Sequence, residues 1–475
     1  MFDTGIRQLR MARSLIWGRP ISTDNVRRLV ADALQTLDEF GDPGDDVQQL
    51  LDGPYADPTL RASFQTRALR RTATRAASLT PFYRDLLTGV GVAPDKLTLE
   101  ELNRLPVTRK QDLHTRPADF IADGSRPYVA TRTTGTTGRP TQIWLSRQEV
   151  ELWPSLAALS GLLRGEIGPD DCMQINISSR ATAAVHQNMV VCALVGARCV
   201  VLGLVPPDES LDGLLDGEEA APTLLSTYPS YLAELVRAAR GRGLGPDAFR
   251  LRRIDCGGEL LSTALADAAA ETFGAAVNDT FAMTEVLPVS GRTCEHGHLH
   301  HDLNMGLVEV VDVETGRPVE PGEIGTVLIT PYYPFRECMP LLRYDTRDLV
   351  RRLPDDSLQC ELAGTPGTSR ILGKADQVLL APGRYVTPRD LVEVYEALPT
   401  QPWPARFQAV QDEDRILLTV PRSALGDAGP EPLEGRFRAV GLDVRVRVAD
   451  AERSGPRLRA IRSDLVETTF AGEVS

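Results

Sequence analysis

The sequence predicts an α/β protein in two parts, a large part of layered sheets and helices followed by a smaller C-terminal part. Three observations predict it. The chain has 475 residues, 42% apolar and 25% charged, which is a globular composition too long for one hydrophobic core. From about residue 120 onward, short β-rich runs alternate with helical ones, the pattern of a layered α/β domain. The loop Ala363–Ser369, made of Gly, Pro, Ser, Thr and Ala, precedes a segment of roughly 100 residues, the size of a small domain.

Taken in order, residues 1–75 read as helices, because Leu29, Val30, Ala33, Leu34 and Leu37 recur at helical spacing. The β-rich runs are Gln142–Leu145, Met173–Ile177, Cys199–Leu204, Thr223–Ser226 and Arg253–Cys256, separated by helical runs such as Tyr231–Ala239 and Ala264–Thr272. Leu307–Ile329 reads as antiparallel strands with turns at Glu314-Thr-Gly and Glu320-Pro-Gly, and Gly426–Pro432 as a surface loop.

Composition excludes several function classes. The formal net charge of −13 opposes non-specific binding to nucleic acid or anionic membranes, and aromatics at 5% are too sparse for a base-stacking platform. The seven cysteines are odd in number and dispersed, so a disulfide framework is not expected. Met1–Pro20 holds four arginines and no continuous apolar stretch, unlike a signal peptide. The most apolar segment, Met189–Val205, is interrupted by Arg198 and falls short of a membrane helix. A cytoplasmic protein is expected.

The strongest chemical signal is Thr131-Arg-Thr-Thr-Gly-Thr-Thr-Gly-Arg-Pro-Thr141. Gly135 and Gly138 permit tight backbone turns, and the hydroxyls of Thr133, Thr134, Thr136 and Thr137 join the loop N–H groups as phosphate donors. The flanking runs read as strands, which puts this loop at a hairpin tip.

Other motifs follow in register. They are Pro81-Phe-Tyr-Arg-Asp-Leu-Leu87, Leu105-Pro-Val-Thr-Arg-Lys-Gln-Asp-Leu113, Asp255-Cys-Gly-Gly-Glu-Leu-Leu-Ser262, Phe281-Ala-Met-Thr-Glu285, Gly322–Thr330, Met339–Leu349 and Gly373-Lys-Ala-Asp376. From Pro81 to Pro399 this order resembles the adenylate-forming enzymes, and within them the phenylacetate–CoA ligases. The resemblance implies a large multi-subdomain adenylate-forming domain over residues 1–372. It also implies a mobile, small α+β C-terminal domain over residues 373–475, with the hinge near Asp376. The implied chemistry is ATP-dependent activation of a small, aromatic carboxylic acid to an acyl-adenylate. Acyl transfer to CoA or to a carrier-protein thiol follows. A homodimer is compatible with this reading.

The residue types suit that chemistry. Both reactants are anionic, so positioning and charge neutralisation dominate. Glu285 is a hard oxygen ligand for Mg²⁺, Thr284 can donate to the α-phosphate, Asp348 can accept from the ribose hydroxyls and Phe281 can stack on adenine. Gly257, Gly258, Glu259 and Lys374 fall in the nucleotide-binding motifs. Three departures stand out. Ala282 replaces a glycine, Lys374 replaces an arginine, and no lysine follows Lys374, so the C-terminal lysine of the family has Arg457 as its nearest substitute. That loss keeps two alternatives open, an amine or hydroxyl acceptor giving an amide or ester, and a catalytically impaired nucleotide-binding homologue.

Thr293-Cys-Glu-His-Gly-His-Leu-His-His301 concentrates four of the six histidines. Such a cluster suits structural Zn²⁺. Because the resemblance brings the segments of Cys256 and Cys338 towards the Phe281–Glu285 region, the expected ligands are Cys256, Cys294, His300 and Cys338, with His296 as the alternative imidazole. Arg180 and His186 are expected on the wall of the acid pocket.

Overall fold

The computed structural model describes residues 2–41, 57–132, 141–215, 221–354, 358, 360, 362, 365–381, 384–412, 415–449 and 459–462. The N-terminal helices are α1 (Phe2–Trp17), α2 (Thr23–Phe40), α3 (Pro58–Leu79) and α4 (Pro81–Gly89). Ser22 caps α2 by accepting from the Asn25 N–H, and Asp57 caps α3 ahead of Pro58. The α2 stripe buries Val26, Leu29 and Val30; Ala33, Leu34 and Leu37 pack on the core that Val30 joins, while Val26 joins the larger one. Further helices are α5 (Lys110–Thr115), α6 (Arg147–Leu163), α7 (Thr182–Val195), α8 (Pro207–Leu215), α9 (Pro229–Gly241) and α10 (Thr263–Phe273).

The strands β1 (Pro127–Arg132) and β2 (Gln142–Ser146) form an antiparallel hairpin, as expected around the Thr/Gly loop. β3 (Cys172–Asn176), β4 (Arg198–Val201), β5 (Leu224–Thr227), β6 (Arg253–Gly257) and β7 (Ala276–Ala282) run parallel in an eight-stranded sheet. Helices connect successive parallel strands, because a parallel pair needs a long crossover. β8 (Ser290–Thr293) and β9 (His298–His301) continue that sheet antiparallel. A second sheet contains β10 (Gly306–Val311), β11 (Ile324–Pro331) and β12 (Tyr344–Arg351). β13 (Gly367–Ser369) closes the first sheet against β9, and β14 (Gly373–Lys374) closes the second against β12. The expected boundary loop Ala363–Ser369 therefore ends as a strand of the large sheet.

The C-terminal segment carries β15 (Leu379–Ala381), β16 (Arg384–Val386), α11 (Pro388–Glu396), β17 (Phe407–Asp412), β18 (Arg415–Val420), α12 (Arg422–Leu425), α13 (Glu431–Ala439), β19 (Val444–Val448) and β20 (Arg459–Arg462). Its apolar cluster, from Leu379 to Val446, is separate from the larger cores. The expected loop Gly426–Pro432 is a 3-10 turn leading into α13. α11 faces the large part: the Glu393 carboxylate accepts from the Thr263 N–H at 2.9 Å, and Arg389 donates to the Leu261 carbonyl at 3.0 Å.

Candidate active site

The ends of β6 and β7 and the middle of β12 converge on one cluster. β6 terminates in Gly257, and Gly258 follows it. A Cβ on Gly257 would lie 2.8 Å from the Thr280 Oγ1 and 3.1 Å from the Thr280 carbonyl, so no side chain fits between these strands. Gly258 has φ +80°, which favours glycine. The Glu259 carboxylate accepts from the Ser230 N–H at 3.0 Å, tying this turn to the start of α9. β7 carries Phe281 one residue before its end, and a 3-10 turn, Thr284–Val286, then presents Glu285.

Glu285 is 2% exposed and Asp348 is 7% exposed. The register of β12 against β14 sets Asp348 opposite Lys374, whose Nζ donates to the Asp348 Oδ2 at 2.9 Å and to the Thr346 carbonyl at 3.0 Å. The Tyr344 hydroxyl donates to the Glu285 Oε1 at 3.5 Å. Burial pushes the Glu285 carboxyl above its ordinary range; Lys110 and Lys374 pull it back and Asp348 adds to the push. Burial likewise raises Asp348, against the opposing field of Lys374. Two carboxylates are thus held in a desolvated space, and a hard cation or ligand hydroxyl groups would relieve them. Glu285 fits Mg²⁺ on these grounds.

Two contributors were missed in the sequence. Lys110, at the start of α5, acts on Glu285 alongside Lys374, and the chain has only three lysines. The bond of Thr108 Oγ1 to the Leu342 carbonyl, and of the Asp345 N–H to the Thr108 carbonyl, dock its segment beside β12. Arg336 is fully buried and donates to the carbonyls of Met339 and Leu287, which holds the chain just after Glu285. Lys110 sat inside a quoted motif; Arg336 has meaning only in three dimensions.

The chain matches the family of AMP-binding enzymes over residues 74–336, more than half of its length. It belongs to that family. It is 26% identical over 395 residues to the phenylacetate-coenzyme A ligase of Thermus thermophilus, covering 79% of this chain and 84% of the relative. The corresponding Escherichia coli ligase is 27% identical over 351 residues, covering 70% and 75%. Among solved structures, 2-hydroxyisobutyryl-CoA ligase in the postadenylation state with 2-HIB-AMP superposes at a TM-score of 0.72 and 21% identity, covering 87% and 92%. A benzoate CoA ligase from Burkholderia xenovorans gives 0.53 and 17%, covering 71% and 69%. This AMP-binding enzyme is therefore phenylacetate–CoA ligase-like, an adenylate-forming acid–thiol ligase by family.

Other expected site residues of the AMP-binding enzyme fall as follows. Thr133, Thr134, Gly135, Thr136, Thr137, Gly138 and Arg457 lie outside the described residues. Thr284 is half-buried beside Glu285, and Phe281 is buried with its ring edge-on to His301 at 5.4 Å. Asp376 is exposed in the turn Ala375–Gln377. Arg180 and His186 are both exposed; the backbone N–H of Arg180 donates to Ser178, and the His186 Nε2 lies 3.3 Å from the Val150 carbonyl. Asn176 is buried in a network with Gln174 and Ser210. A surface cleft of about 600 Å³ lined by Arg67, Arg70, Arg71, Arg75 and Tyr333 is separate from these groups.

The expected Cys256–Cys294–His300–Cys338 set is corrected. Cys256 is buried in the apolar cluster beneath β6, and the Cys338 thiol faces the Ser125 hydroxyl at 3.8 Å. Cys294 and His300 instead meet His298 and Cys360, with one potential ligand atom from each within 4.8 Å of the others. His296 is exposed beside Glu295. Sheet alternation made the difference: it sends His298 and His300 to one face and His301 to the other.

Proposed function

We propose that this protein activates a small aromatic carboxylic acid with ATP and transfers the acyl group to the thiol of CoA. The observation that carries the reading is the buried Glu285 beside the Asp348–Lys374 pair, all three in family motifs. In the first half-reaction a carboxylate oxygen attacks the α-phosphorus and the bond to pyrophosphate breaks. Mg²⁺ at Glu285 would supply charge neutralisation. Lys110 and Lys374 hold positive charge at the same place, which supports adenylation by a chain lacking the C-terminal lysine. Asp348 would bind the ribose and Phe281 the adenine. In the second half-reaction the thiolate attacks the acyl carbon and AMP leaves. The names of the curated relatives favour CoA as acceptor; a carrier-protein thiol is the other thiol of this reading, and a homodimer its expected assembly. Seven dispersed cysteines, none in a disulfide, support a cytoplasmic setting.

ATP–pyrophosphate exchange across a panel of aromatic acids tests the first step. Exchange with none of them, where phenylacetate and benzoate are included, would overturn the aromatic assignment. CoA, an acyl carrier protein and simple amines, offered to the adenylate in turn, identify the acceptor.

Residues 373–475 act in this reading as a domain that turns about Asp376 between the two steps. Asp376→Pro fixes φ near −65° and removes an N–H. Thioester formation from supplied adenylate should fall at least about tenfold more than exchange, since a hinge must absorb a large φ/ψ change. Equal effects on both steps would remove Asp376 from that role.

A further inference from the structure

The hairpin joining β8 to β9 is built around a four-residue turn, Cys294–Gly297. The Gly297 N–H donates to the Cys294 carbonyl at 2.9 Å, and the Cys294 N–H to the His298 carbonyl at 2.9 Å. Gly297 has φ +77°, which lets the chain reverse there. The reversal sets Cys294 beside His298, whose N–H donates to the Cys294 Sγ at 3.3 Å. Along β9 the side chains alternate, so His300 shares the face of His298 while Leu299 and His301 turn to the other. β13 pairs with β9, Gly367 opposite His300 and Ser369 opposite His298, and the chain just before β13 brings in Cys360.

Four features of this pocket suit a metal rather than a packed core. One potential ligand atom from each of Cys294, His298, His300 and Cys360 falls within 4.8 Å of the others. The Cys360 Sγ to His300 Nε2 distance is 3.5 Å. A tetrahedral zinc with Zn–S of about 2.3 Å and Zn–N of about 2.05 Å requires an S···N edge of about 3.6 Å. The His300 Nδ1 lies 2.9 Å from the Thr365 carbonyl. A carbonyl only accepts, so the proton is on Nδ1 and the Nε2 lone pair faces Cys360, the arrangement that orients a metal-bound imidazole. The Nδ1 of His298 is buried without a hydrogen-bond partner.

We propose that Cys294, His298, His300 and Cys360 bind one Zn²⁺ as a closed, structural Cys₂His₂ site. Four protein ligands leave no open position, so the ion takes no part in acyl transfer. Its ligands come from two segments, 294–300 and 360. The ion therefore fastens the stretch between Asp348-bearing β12 and β13 onto the hairpin that follows the Glu285 turn. The proposal stands apart from the ligase reading, since it uses none of Glu285, Asp348 and Lys374.

The test uses full-length protein purified without chelator or added metal. Elemental analysis should find about one zinc per chain. An organomercurial titrated into the native protein should release that zinc into a chromogenic chelator as two thiols react. Cys360→Ser and His298→Ala should lower bound zinc at least about tenfold, while His298→Cys, Cys256→Ser and Cys338→Ser retain it. Cobalt-substituted protein should show the intense d–d bands and thiolate charge transfer of tetrahedral Co²⁺, weakened by Cys360→Ser. Absence of zinc from wild-type protein would overturn the proposal. So would full zinc content in Cys360→Ser, the result for a Cys360–His300 hydrogen-bonded pair that takes no part in metal binding.

Discussion

The nucleotide cleft and the Cys/His pocket both bury polar groups, but they satisfy them differently. In the cleft the chain supplies its own counter-charge: Asp348 has Lys374 at 2.9 Å, and Glu285 sits in the field of Lys110 and Lys374. That region can stand without its ligand while its carboxyls are held at raised pKa. In the Cys/His pocket the turn and sheet bring four ligand groups together, yet the His298 Nδ1 has no protein partner. On the proposed readings, the first region is prepared for a transient ligand and the second for a permanent one. Loss of a cleft residue should therefore damage activity more than folding, and loss of a pocket residue the reverse.

Glu285→Gln is the strongest probe. Adenylate formation should fall by about three orders of magnitude, because removing this kind of charge neutralisation costs several kcal/mol. Stability should move the other way. A carboxyl whose pKa is raised by folding holds its proton more tightly in the folded state, so stability is present below the unfolded pKa and declines as pH rises through the folded pKa. The amide avoids that loss, so the ligand-free variant should melt above the parent at neutral pH, with the gap closing towards acid. A lower melting temperature at neutral pH would show that Glu285 is instead a stabilising charge.

Cys294→Ser reverses the pattern. Zinc should be lost and the melting transition should fall by at least about 5 °C, more than any cleft variant, because a structural zinc contributes folding free energy directly. An unchanged transition would erase the contrast between the two regions.

Lys374→Met is intermediate. It leaves Asp348 buried without its partner, at a cost of about 1–2 kcal/mol after allowance for a Lys374 side chain that is 36% exposed. The Asp348 carboxyl should rise further, and the KM for ATP should increase about tenfold more at pH 6 than at pH 8. A pH-independent effect would mean that Lys374 acts on ATP itself rather than through Asp348.

Lys110→Met should give the smallest effect, a fall in exchange rate of about five- to tenfold with an unchanged melting temperature. Equal loss from Lys110→Arg would indicate a positional role beyond charge.

Local signals made much of this protein legible from its sequence. Helical spacing marked α2, hairpin-flanking runs marked β1 and β2, and glycines with a chemical reason marked the β6 turn, where Gly257 meets Thr280. Glu285 and Asp348 were legible because their motifs are contiguous. The proposed zinc ligands were half legible. Cys294 and His300 belong to one short run, but Cys360 lies far along the chain in an unremarkable stretch, and Cys256 and Cys338 offered equally plausible thiols. Only the pairing of β13 with β9 selects Cys360; the turn leaves His296 exposed outside β9, and β alternation selects His298 and His300 over His301. Arg336, Lys110 and the Lys374–Asp348 pair likewise gain their meaning from strand register and burial. Sequence determines which groups are available and how neighbours turn. Which distant groups share a desolvated space, and so which charges and ligands must answer one another, is decided by tertiary packing.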